Sequence, residues 1–219
     1  MREGISVMEL LNLLKKRWLR WNVRKARLGD AAAMNRLYLF EDPWGLDNAR
    51  EHFRFRETAR IIQENIGVHF ESILEIGCGE GLQTQYLAPL ARYIVGLDPS
   101  SNAIKRARAR GIANASFKVG DLTSYEGRAR ASFDLVVACE VLYYMPDFEE
   151  AFEKLNKLGR ACVVTYYQGV FESLDNFFSS KKVISETIRG ADCDWRVVYW
   201  RLREPEGRPS LDSHVRILS

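Results

Sequence analysis

The fold is decided by the stretch Ser72-Ile-Leu-Glu-Ile-Gly-Cys-Gly-Glu-Gly81. Its first half is a short apolar run typical of a buried strand, and glycines then follow at 77, 79 and 81. Glycine lets the backbone turn sharply and approach a ligand closely. A glycine loop between a strand and a helix predicts a ligand site at the carboxyl edge of an α/β sheet. Taken alone, the loop leaves open a tight turn without a ligand.

Short apolar runs alternate with helical patterns on either side of this loop. The predicted strands are Ser72–Ile76, Tyr93–Leu97, Ala115–Val119, Phe133–Cys139 and Arg160–Tyr166, and the predicted helices between them are Gln83–Leu90, Ser101–Arg110 and Phe148–Leu158. This alternation predicts a Rossmann-like α/β fold, with a mostly parallel sheet flanked by helices. Nearer the end of the chain, Trp195–Trp200 and Val215–Leu218 are predicted to form an antiparallel edge pair.

The chain is predicted to consist of an N-terminal helical extension, residues 1–40, and one α/β domain, residues 41–219. In the extension, an apolar stripe at helical spacing runs from Val7 to Trp21, and Lys15 to Arg27 holds seven basic residues and no acidic one. We expect this stripe, with Trp18 and Trp21, to pack on the domain. The alternative is that residues 7–27 bind an anionic membrane surface or a nucleic acid. A helix from about Asn48 to Ile66 follows the hinge at residues 41–45.

Composition bounds the partners and the compartment. The net charge of +3 over 219 residues requires no nucleic acid. Four cysteines without CxxC spacing and three histidines predict neither a metal cluster nor a disulfide framework. Unpaired thiols predict a reducing compartment, the cytoplasm. No apolar run approaches the roughly 20 residues that span a bilayer. Oligomeric state is not readable from these features.

The glycine spacing departs from the dinucleotide fingerprint G-x-G-x-x-G, because Leu82 stands where the third small residue would be. Instead, G-x-G-x-G with Glu75 two residues before the first glycine resembles motif I of class I S-adenosylmethionine-dependent methyltransferases. The resemblance implies a methyltransferase with S-adenosylmethionine as its cofactor, whose methionine moiety and ribose the loop wraps. Two alternatives stay open: a nicotinamide-dependent oxidoreductase, and a non-catalytic protein that binds S-adenosylmethionine or a partner.

Further strand ends agree with this resemblance. Asp98 ends a strand where the family has an acid that accepts the ribose hydroxyls, although it could instead cap the helix that begins near Ser101. Asp121 stands where an Asp contacts the adenine amino group, or it is an ordinary turn residue. Trp44 either closes over the cofactor or anchors the core, and Cys78 is expected to fill space with its backbone near the ligand. The residues assigned to the cofactor are Glu75, Gly77, Cys78, Gly79, Gly81, Asp98, Asp121, Leu122 and Trp44.

A narrower resemblance concerns the acceptor. The stretch Glu140-Val-Leu-Tyr-Tyr144, together with Asp42-Pro-Trp44, is similar to NodS-type methyltransferases, which N-methylate the free amine of a chitooligosaccharide. It implies an amine on a small molecule or sugar as the methyl acceptor, in preference to a hydroxyl. The catalytic candidates are Glu140, which would orient the amine or take its proton, and Tyr143 and Tyr144. Glu140 could instead be a helix-start acid, and one of the tyrosines a core residue. Tyr166 and Tyr167 are expected to reach the acceptor pocket.

Overall fold

The structure is a computed structural model, and it describes residues 18, 21–25, 30–125 and 133–202. Within that part of the chain the strands are β1 (Phe70–Ile76), β2 (Ala91–Asp98), β3 (Ala115–Val119), β4 (Phe133–Cys139), β5 (Gly159–Tyr167), β6 (Ile184–Arg189) and β7 (Asp194–Arg201). They form one sheet in the order β3-β2-β1-β4-β5-β7-β6, in which β1 to β5 run parallel and β7 runs antiparallel to both of its neighbours. The predicted Rossmann-like α/β fold is confirmed.

Helices connect the parallel strands at nearly the predicted positions. Before the sheet lie α1 (Ala31–Leu37) and α2 (Ala49–Asn65). The connecting helices are α3 (Thr84–Leu87), α4 (Ser101–Ala109) and α5 (Phe148–Leu158), and α6 (Phe171–Ser179) leads from β5 to β6. The side chains of Asn48 and Ser100 accept backbone N–H groups at the starts of α2 and α4, as capping residues do. The predicted helix 83–90 is shorter than expected. Its second half, Ala88–Leu90, is a 3-10 turn that contains Pro89, which has no N–H to donate.

Both faces of the sheet are buried, which explains why the strands show no polar alternation. On one face, Ile73 and Val137 pack against Ile62 of α2. On the other face, their neighbours Leu74 and Val136 belong to the core that includes α5 and α6. Because β1 to β5 pair in parallel, their carboxyl ends lie along one edge of the sheet.

The antiparallel edge pair differs from the sequence-based expectation. Residues 195–200 do form a strand, within β7, but the partner of β7 is β6 (Ile184–Arg189). The expected partner, Val215–Leu218, lies outside the described residues. The prediction missed β6 because this edge strand is partly exposed and carries Ser185, Glu186 and Thr187. A polar edge strand looks like a loop in the sequence.

The expected packing of the N-terminal extension on the domain is wrong at Trp21, and at Trp18 the structure shows a ring contact within the extension itself. The Trp18 ring meets the Phe40 ring edge-on, with centroids 5.6 Å apart. Asn22, one helical turn after Trp18, is fully buried and accepts a hydrogen bond from Nε of Arg36 at 2.9 Å. Trp21 is 50% exposed, so it does not share the packed face. Most of the stripe, residues 1–17, lies outside the described residues.

Among the described residues, no helix combines the length and apolarity needed to cross a bilayer. The same residues contain no cluster of three or more histidine, cysteine or acidic side chains that could hold a metal ion. The four cysteines, all within the described residues, are free thiols.

Candidate active site

A cavity of about 640 Å³ lies at the carboxyl edge of the parallel strands, a volume typical of small-molecule sites. It is lined by the loop after β1 and by Asp98, Asp121 and Glu140, which stand at or after the ends of β2, β3 and β4. The strand order reverses between β1 and β4, and ligands of open α/β sheets bind at such a reversal. The candidate residues from four strand ends therefore meet in one place.

The glycine loop has the conformation that its sequence requires. Gly77, Gly79 and Gly81 have φ values of +69°, +54° and +80°, which L side chains rarely adopt. A Cβ on Gly77 would collide with Cγ2 of Val141, and one on Gly79 would lie 2.9 Å from the Tyr38 hydroxyl. The loop backbone is thus exposed to the cavity only because side chains are missing.

Cys78 lines the cavity, and its side chain packs in a cluster with Ile104, Ala107 and Phe117. Its backbone N–H donates to the Leu97 carbonyl at 2.9 Å, which ties the loop to the end of β2. Burial raises the pKa of the Cys78 thiol well above its usual value, so a nucleophilic thiolate is disfavoured. The arrangement agrees with a space-filling role.

Asp98 is a buried carboxylate that braces the loop. Its Oδ2 accepts the Gly79 N–H at 3.1 Å and its Oδ1 accepts the Ser100 N–H at 2.8 Å. The cap of α4 is Ser100, so the alternative role of Asp98 as that cap does not hold. Burial raises the pKa of Asp98 to about 6, although the two N–H groups oppose this rise. Each oxygen keeps acceptor capacity for a ligand in the cavity.

Asp121 lines the cavity, whereas Leu122 does not. Asp121 Oδ1 accepts the Ser124 N–H and the Thr123 hydroxyl, both at 2.7 Å, in the turn that was its alternative role. Burial works against ionisation of Asp121, but these hydrogen bonds outweigh it and lower its pKa. The Leu122 side chain is 1% exposed and packs in the core, so it cannot contact a ligand. The cofactor contact predicted for Leu122 therefore finds no support in the structure.

Glu75 lies at the floor of the cavity, at the end of β1. Its Oε2 accepts the Thr84 hydroxyl, and only 3% of the residue is exposed. Burial raises the pKa of Glu75 to about 7, with Asp98 adding to the rise and Thr84 and Arg54 opposing it. The acid of the motif is thus a buried group that titrates near neutrality.

Glu140 lies in the part of the cavity lined by residues 139–141 and 143–146, in a backbone conformation unusual for its type, with φ +59°. Tyr143 donates its hydroxyl to Oε2 and Thr165 donates its hydroxyl to Oε1, each at 3.1 Å. Burial raises the pKa of Glu140, opposed by Arg54, Thr165 and Tyr143. The 3-10 turn that follows, Leu142–Tyr144, has no side-chain cap, so the alternative helix-start role is not seen.

Aromatic rings surround this part of the cavity. Tyr143 packs against Tyr144 with centroids 4.7 Å apart and against Tyr167 at 5.7 Å. Trp44 lies 6.0 Å from the Tyr144 ring and donates its indole N–H to the Tyr38 hydroxyl at 3.1 Å. All of these residues line the cavity.

Tyr166 was expected beside Tyr167, and this expectation is wrong. Successive residues of a strand point to opposite faces of a sheet, so only one of the two can face the cavity. Tyr166 is fully buried on the other face, where its hydroxyl donates to Asp175 at 2.6 Å.

Sequence reasoning missed an ion pair in the cavity wall. Arg54, only 2% exposed, donates from Nε to Glu51 at 2.8 Å and from Nη1 to Gln83 at 3.1 Å. The signal available was an acid and a base three residues apart on the same helix face as Phe55 and Ile62. Tyr38, also missed, offers no comparable pattern in the sequence.

The segment before α2 is tied to the glycine loop. Asp42 donates its N–H to Glu80 at 3.1 Å, and Arg106 of α4 pairs with the same carboxylate at 2.7 Å. Arg106 also donates to the carbonyls of Tyr38 and Phe40. These bonds hold Tyr38 and Trp44 over the loop.

Comparison with known proteins agrees with this geometry. Residues 74–161 match the methyltransferase domain family. Nodulation protein S of Bradyrhizobium diazoefficiens is 33% identical over 121 residues, 54% of this chain and 56% of the relative. That of Sinorhizobium fredii is 34% identical over 110 residues, 49% of each chain. Residues 74–161 thus carry a methyltransferase domain. The matched stretch spans about half the length of these curated relatives.

A solved structure supports the same fold. The N-methyltransferase NodS from Bradyrhizobium japonicum WM9, in complex with S-adenosyl-l-homocysteine, superposes with a TM-score of 0.63 at 23% identity. The match covers 81% of this chain and 99% of that one. That neighbour holds S-adenosyl-l-homocysteine, the demethylated form of the cofactor that the sequence predicts for this chain.

The residues of the cavity fit this cofactor. At Gly77 and Gly79 the loop presents backbone without side chains to the cavity. Asp98 presents oxygens that can accept hydrogen bonds from the hydroxyl groups of a ribose. S-adenosylmethionine carries a sulfonium charge, and the cavity lining is acidic. Its carboxylates are Asp30, Asp42, Glu51, Glu75, Glu80, Asp98, Asp121 and Glu140, against the guanidinium groups of Arg50 and Arg54.

Proposed function

We propose that this methyltransferase transfers a methyl group from S-adenosylmethionine to an amine on a small-molecule or sugar acceptor, and that Glu140 receives the amine proton. The observation that carries the proposal is the placement of the Glu140 carboxylate. It lies in the cavity, among aromatic rings, with one hydroxyl donor on each oxygen. A carboxylate has about four acceptor positions, so positions remain for an ammonium group.

The half of the cavity formed by the glycine loop would hold the cofactor. Gly77 and Gly79 would receive its methionine moiety, Asp98 its ribose hydroxyls and Asp121 its adenine amino group, with Tyr38 and Trp44 above. When bound, the cofactor supplies a methyl group whose leaving group is a neutral thioether. The remaining task of the protein is to align a nucleophile, and proximity of this kind supplies about 7–11 kcal/mol in well-oriented reactions.

Glu140 would handle the proton of the acceptor. An amine that binds as ammonium pairs with the ionised carboxylate and gives up one proton to it, which frees the nitrogen lone pair to form the N–C bond. Burial raises the pKa of Glu140, which makes the carboxylate a better base, and the donors Tyr143 and Thr165 keep it in place. A hydroxyl acceptor holds its proton far more tightly than a carboxylate can, so this residue favours an amine.

The rings around Glu140 would hold the body of the acceptor. Tyr143, Tyr144, Tyr167 and Trp44 form a wall that can cover an apolar sugar face and exclude water, and their faces attract a nearby cation. The curated relatives named Nodulation protein S, and the solved neighbour named an N-methyltransferase, support an amine as the acceptor. An oligosaccharide of amino sugars with one free amine is the acceptor that we favour.

A matched pair of acceptors tests this proposal. The protein is incubated with methyl-labelled S-adenosylmethionine and a chitooligosaccharide that has one free amine, or its fully N-acetylated counterpart. We expect one methyl group on the free amine and none on the acetylated sugar, as read by mass spectrometry. Label on a hydroxyl of either sugar would overturn the amine assignment.

Calorimetry separates the other possibilities. We expect S-adenosylhomocysteine to bind at micromolar levels, about −8 kcal/mol, and NAD to bind far more weakly. Binding of S-adenosylhomocysteine without transfer to any member of an amine and hydroxyl panel would identify a non-catalytic protein. Tight NAD binding would identify an oxidoreductase.

A further inference from the structure

The wall of the acceptor half contains a buried ion pair that the chemistry above does not use. Arg54 and Glu51 are 2% and 6% exposed, as buried as core residues, and both line the cavity. Burying two charges costs several kcal/mol per ion, and apolar residues of similar size often give an equally stable protein. Stability alone therefore does not explain why a guanidinium stands here.

Arg54 is held in the wall of the cavity that Glu140 also lines, and a chain of hydrogen bonds joins it to the residue before Glu140. Its Nε donates to Glu51 and its Nη1 to Gln83, whose Nε2 donates to the Cys139 thiol at 3.1 Å. Cys139 is the residue before Glu140. Within the part of the chain that the structure describes, Arg54 Nη2 makes no hydrogen bond. The Arg54 guanidinium thus keeps N–H groups that can donate to a ligand, while its Nε and Nη1 atoms are held by Glu51 and Gln83.

Several ionisable groups surround Glu140, and among them Arg54 is the cation that is buried. Helix α2 presents Arg54, Glu51 and the half-exposed Arg50, β1 presents Glu75, and β4 presents Cys139. Tyr143 of the following 3-10 turn and Cys193 of the loop before β7 complete the set, and burial keeps the Tyr143 hydroxyl protonated. Burial lowers the pKa of Arg54, but attraction to Glu140 and Glu51 outweighs it and raises that pKa.

We infer that Arg54 is a positioning residue for the methyl transfer: its fixed guanidinium holds the Glu140 carboxylate ionised and in place to receive a proton from the acceptor amine. The inference rests on the proposed function. Glu51 then has the opposite effect on Glu140, because it is a like charge, and it also anchors Arg54 through the bond at 2.8 Å.

This opposition gives a test that a merely structural ion pair would fail. Glu51→Gln keeps an acceptor for Arg54 Nε but removes a negative charge, so the pKa of Glu140 should fall. The double variant Glu51→Leu/Arg54→Met removes both charges in residues of similar size, so the pKa of Glu140 should rise by on the order of one unit. Should the apolar pair not fold, Glu51→Gln/Arg54→Gln replaces it with side chains that still form hydrogen bonds.

Two readouts are measured for each variant. The first is the Glu140 pKa itself, from carbon NMR of protein labelled at the glutamate carboxyl carbons, with the signal assigned by its absence in Glu140→Gln. The second is the acid limb of the plot of kcat/KM against pH, which should move by the same amount as the pKa measured by NMR. In the double variant, a shift of about one pH unit should lower kcat/KM about tenfold at a pH below the wild-type limb. As a matched control, Glu71→Gln/Arg92→Gln removes an exposed pair at the amino edge of the sheet, and neither readout should move.

Shifts of the same direction in the single and double variants, or no shift in either, would overturn the inference and leave Arg54 a structural residue. The failure of the proposed function looks different. If Glu140→Gln keeps the acid limb of the wild-type protein, the base is another group, whereas the NMR values still decide whether Arg54 controls Glu140.

Discussion

Glu140 is joined to Thr165 by two hydrogen bonds. The Glu140 N–H donates to the Thr165 carbonyl at 2.9 Å, and the Thr165 hydroxyl donates to Glu140 Oε1 at 3.1 Å. The pairing of β4 with β5 thus continues one residue past the end of β4, while the backbone of Glu140 turns to φ +59°. A strained residue over-determined by its neighbours is a common feature of functional sites, and here the strain aims a carboxylate into the cavity.

Thr165→Val should shift the pH dependence without harming cofactor binding. Valine keeps the shape of threonine but gives no hydrogen bond, and that bond favours the ionised form of Glu140. We expect the acid limb of kcat/KM to move to higher pH, and the affinity for S-adenosylhomocysteine to stay unchanged.

The matched control is Thr58→Val on α2. The Thr58 hydroxyl is buried and has no hydrogen-bond partner among the described residues, so its removal should raise the free energy of unfolding, by about 1 kcal/mol or more, and leave the pH profile unchanged. An acid limb that stays fixed in Thr165→Val would separate this hydroxyl from catalysis.

Three glycine variants separate backbone strain from the shape of the cradle. Gly111→Ala meets no neighbour but has φ +65°, so it should cost about 1–2 kcal/mol of stability. Gly77→Ala adds a collision with Val141 to a φ of +69°, and it should cost more and also weaken S-adenosylhomocysteine binding. Gly120→Ala has neither penalty and should change little. Urea unfolding and calorimetry give both quantities, and equal cofactor affinity in all three variants would argue against the cradle.

Asp98→Asn should lower cofactor affinity by about 1–3 kcal/mol, because a charged acceptor is lost and one of the bonds from Gly79 and Ser100 is broken. Asp134→Asn is the control, since Asp134 also accepts a backbone N–H, that of Ser72, but at the amino edge of the sheet. It should affect stability alone. If calorimetry gives Asp98→Asn the wild-type affinity for S-adenosylhomocysteine, Asp98 has no place in the cofactor site.

Glu75 predicts a pH-dependent stability of the cofactor-free protein. Its pKa of about 7 lies above the ordinary value of 4.5, so the folded protein holds this proton more tightly than the unfolded chain does. Stability should therefore fall as the pH rises from about 4.5 to 7, by on the order of 3 kcal/mol from this group. Glu75→Gln cannot ionise and should escape that loss.

Urea unfolding at pH 5 and pH 8 measures the difference. Glu75→Gln should match the wild-type protein at pH 5 and exceed it at pH 8, whereas Glu71→Gln, at an exposed glutamate, should match it at both. Parallel pH dependence of wild type and Glu75→Gln would show that Glu75 ionises normally.

The parallel strands and the helices between them could be predicted because their signals lie within short stretches of sequence. Strands buried on both faces are apolar runs, glycines mark a loop that needs positive φ, and Ser100 caps a helix from within its own sequence. The edge strand β6 could not be predicted in this way, since exposure lets polar residues occupy it. The prediction that Trp21 packs on the domain was wrong for a related reason. Helical spacing shows which residues share a face of a helix, but not how much of that face other residues cover.

The candidate site was predictable as far as strand ends go. Asp98, Asp121 and Glu140 follow predicted strands, so their meeting at one edge follows from a parallel sheet. Tyr166 and Tyr167 differ only in which face they point to, and the register decides that. Arg54 lies in a helix before the sheet begins, and only tertiary packing brings it to Gln83 and into the cavity that Glu140 also lines.

The most direct test of the account is the rate of methyl transfer by Glu140→Gln to an amine acceptor. Glutamine keeps the size of the side chain but cannot receive a proton, and loss of a general base costs about 10²–10⁴ in rate. We expect turnover to fall by that order while S-adenosylmethionine affinity stays within twofold, about 0.4 kcal/mol, and the residual rate to rise with pH as more amine loses its proton unaided. Wild-type turnover in Glu140→Gln, or a loss of cofactor binding that accounts for the lower rate, would contradict the role given to Glu140.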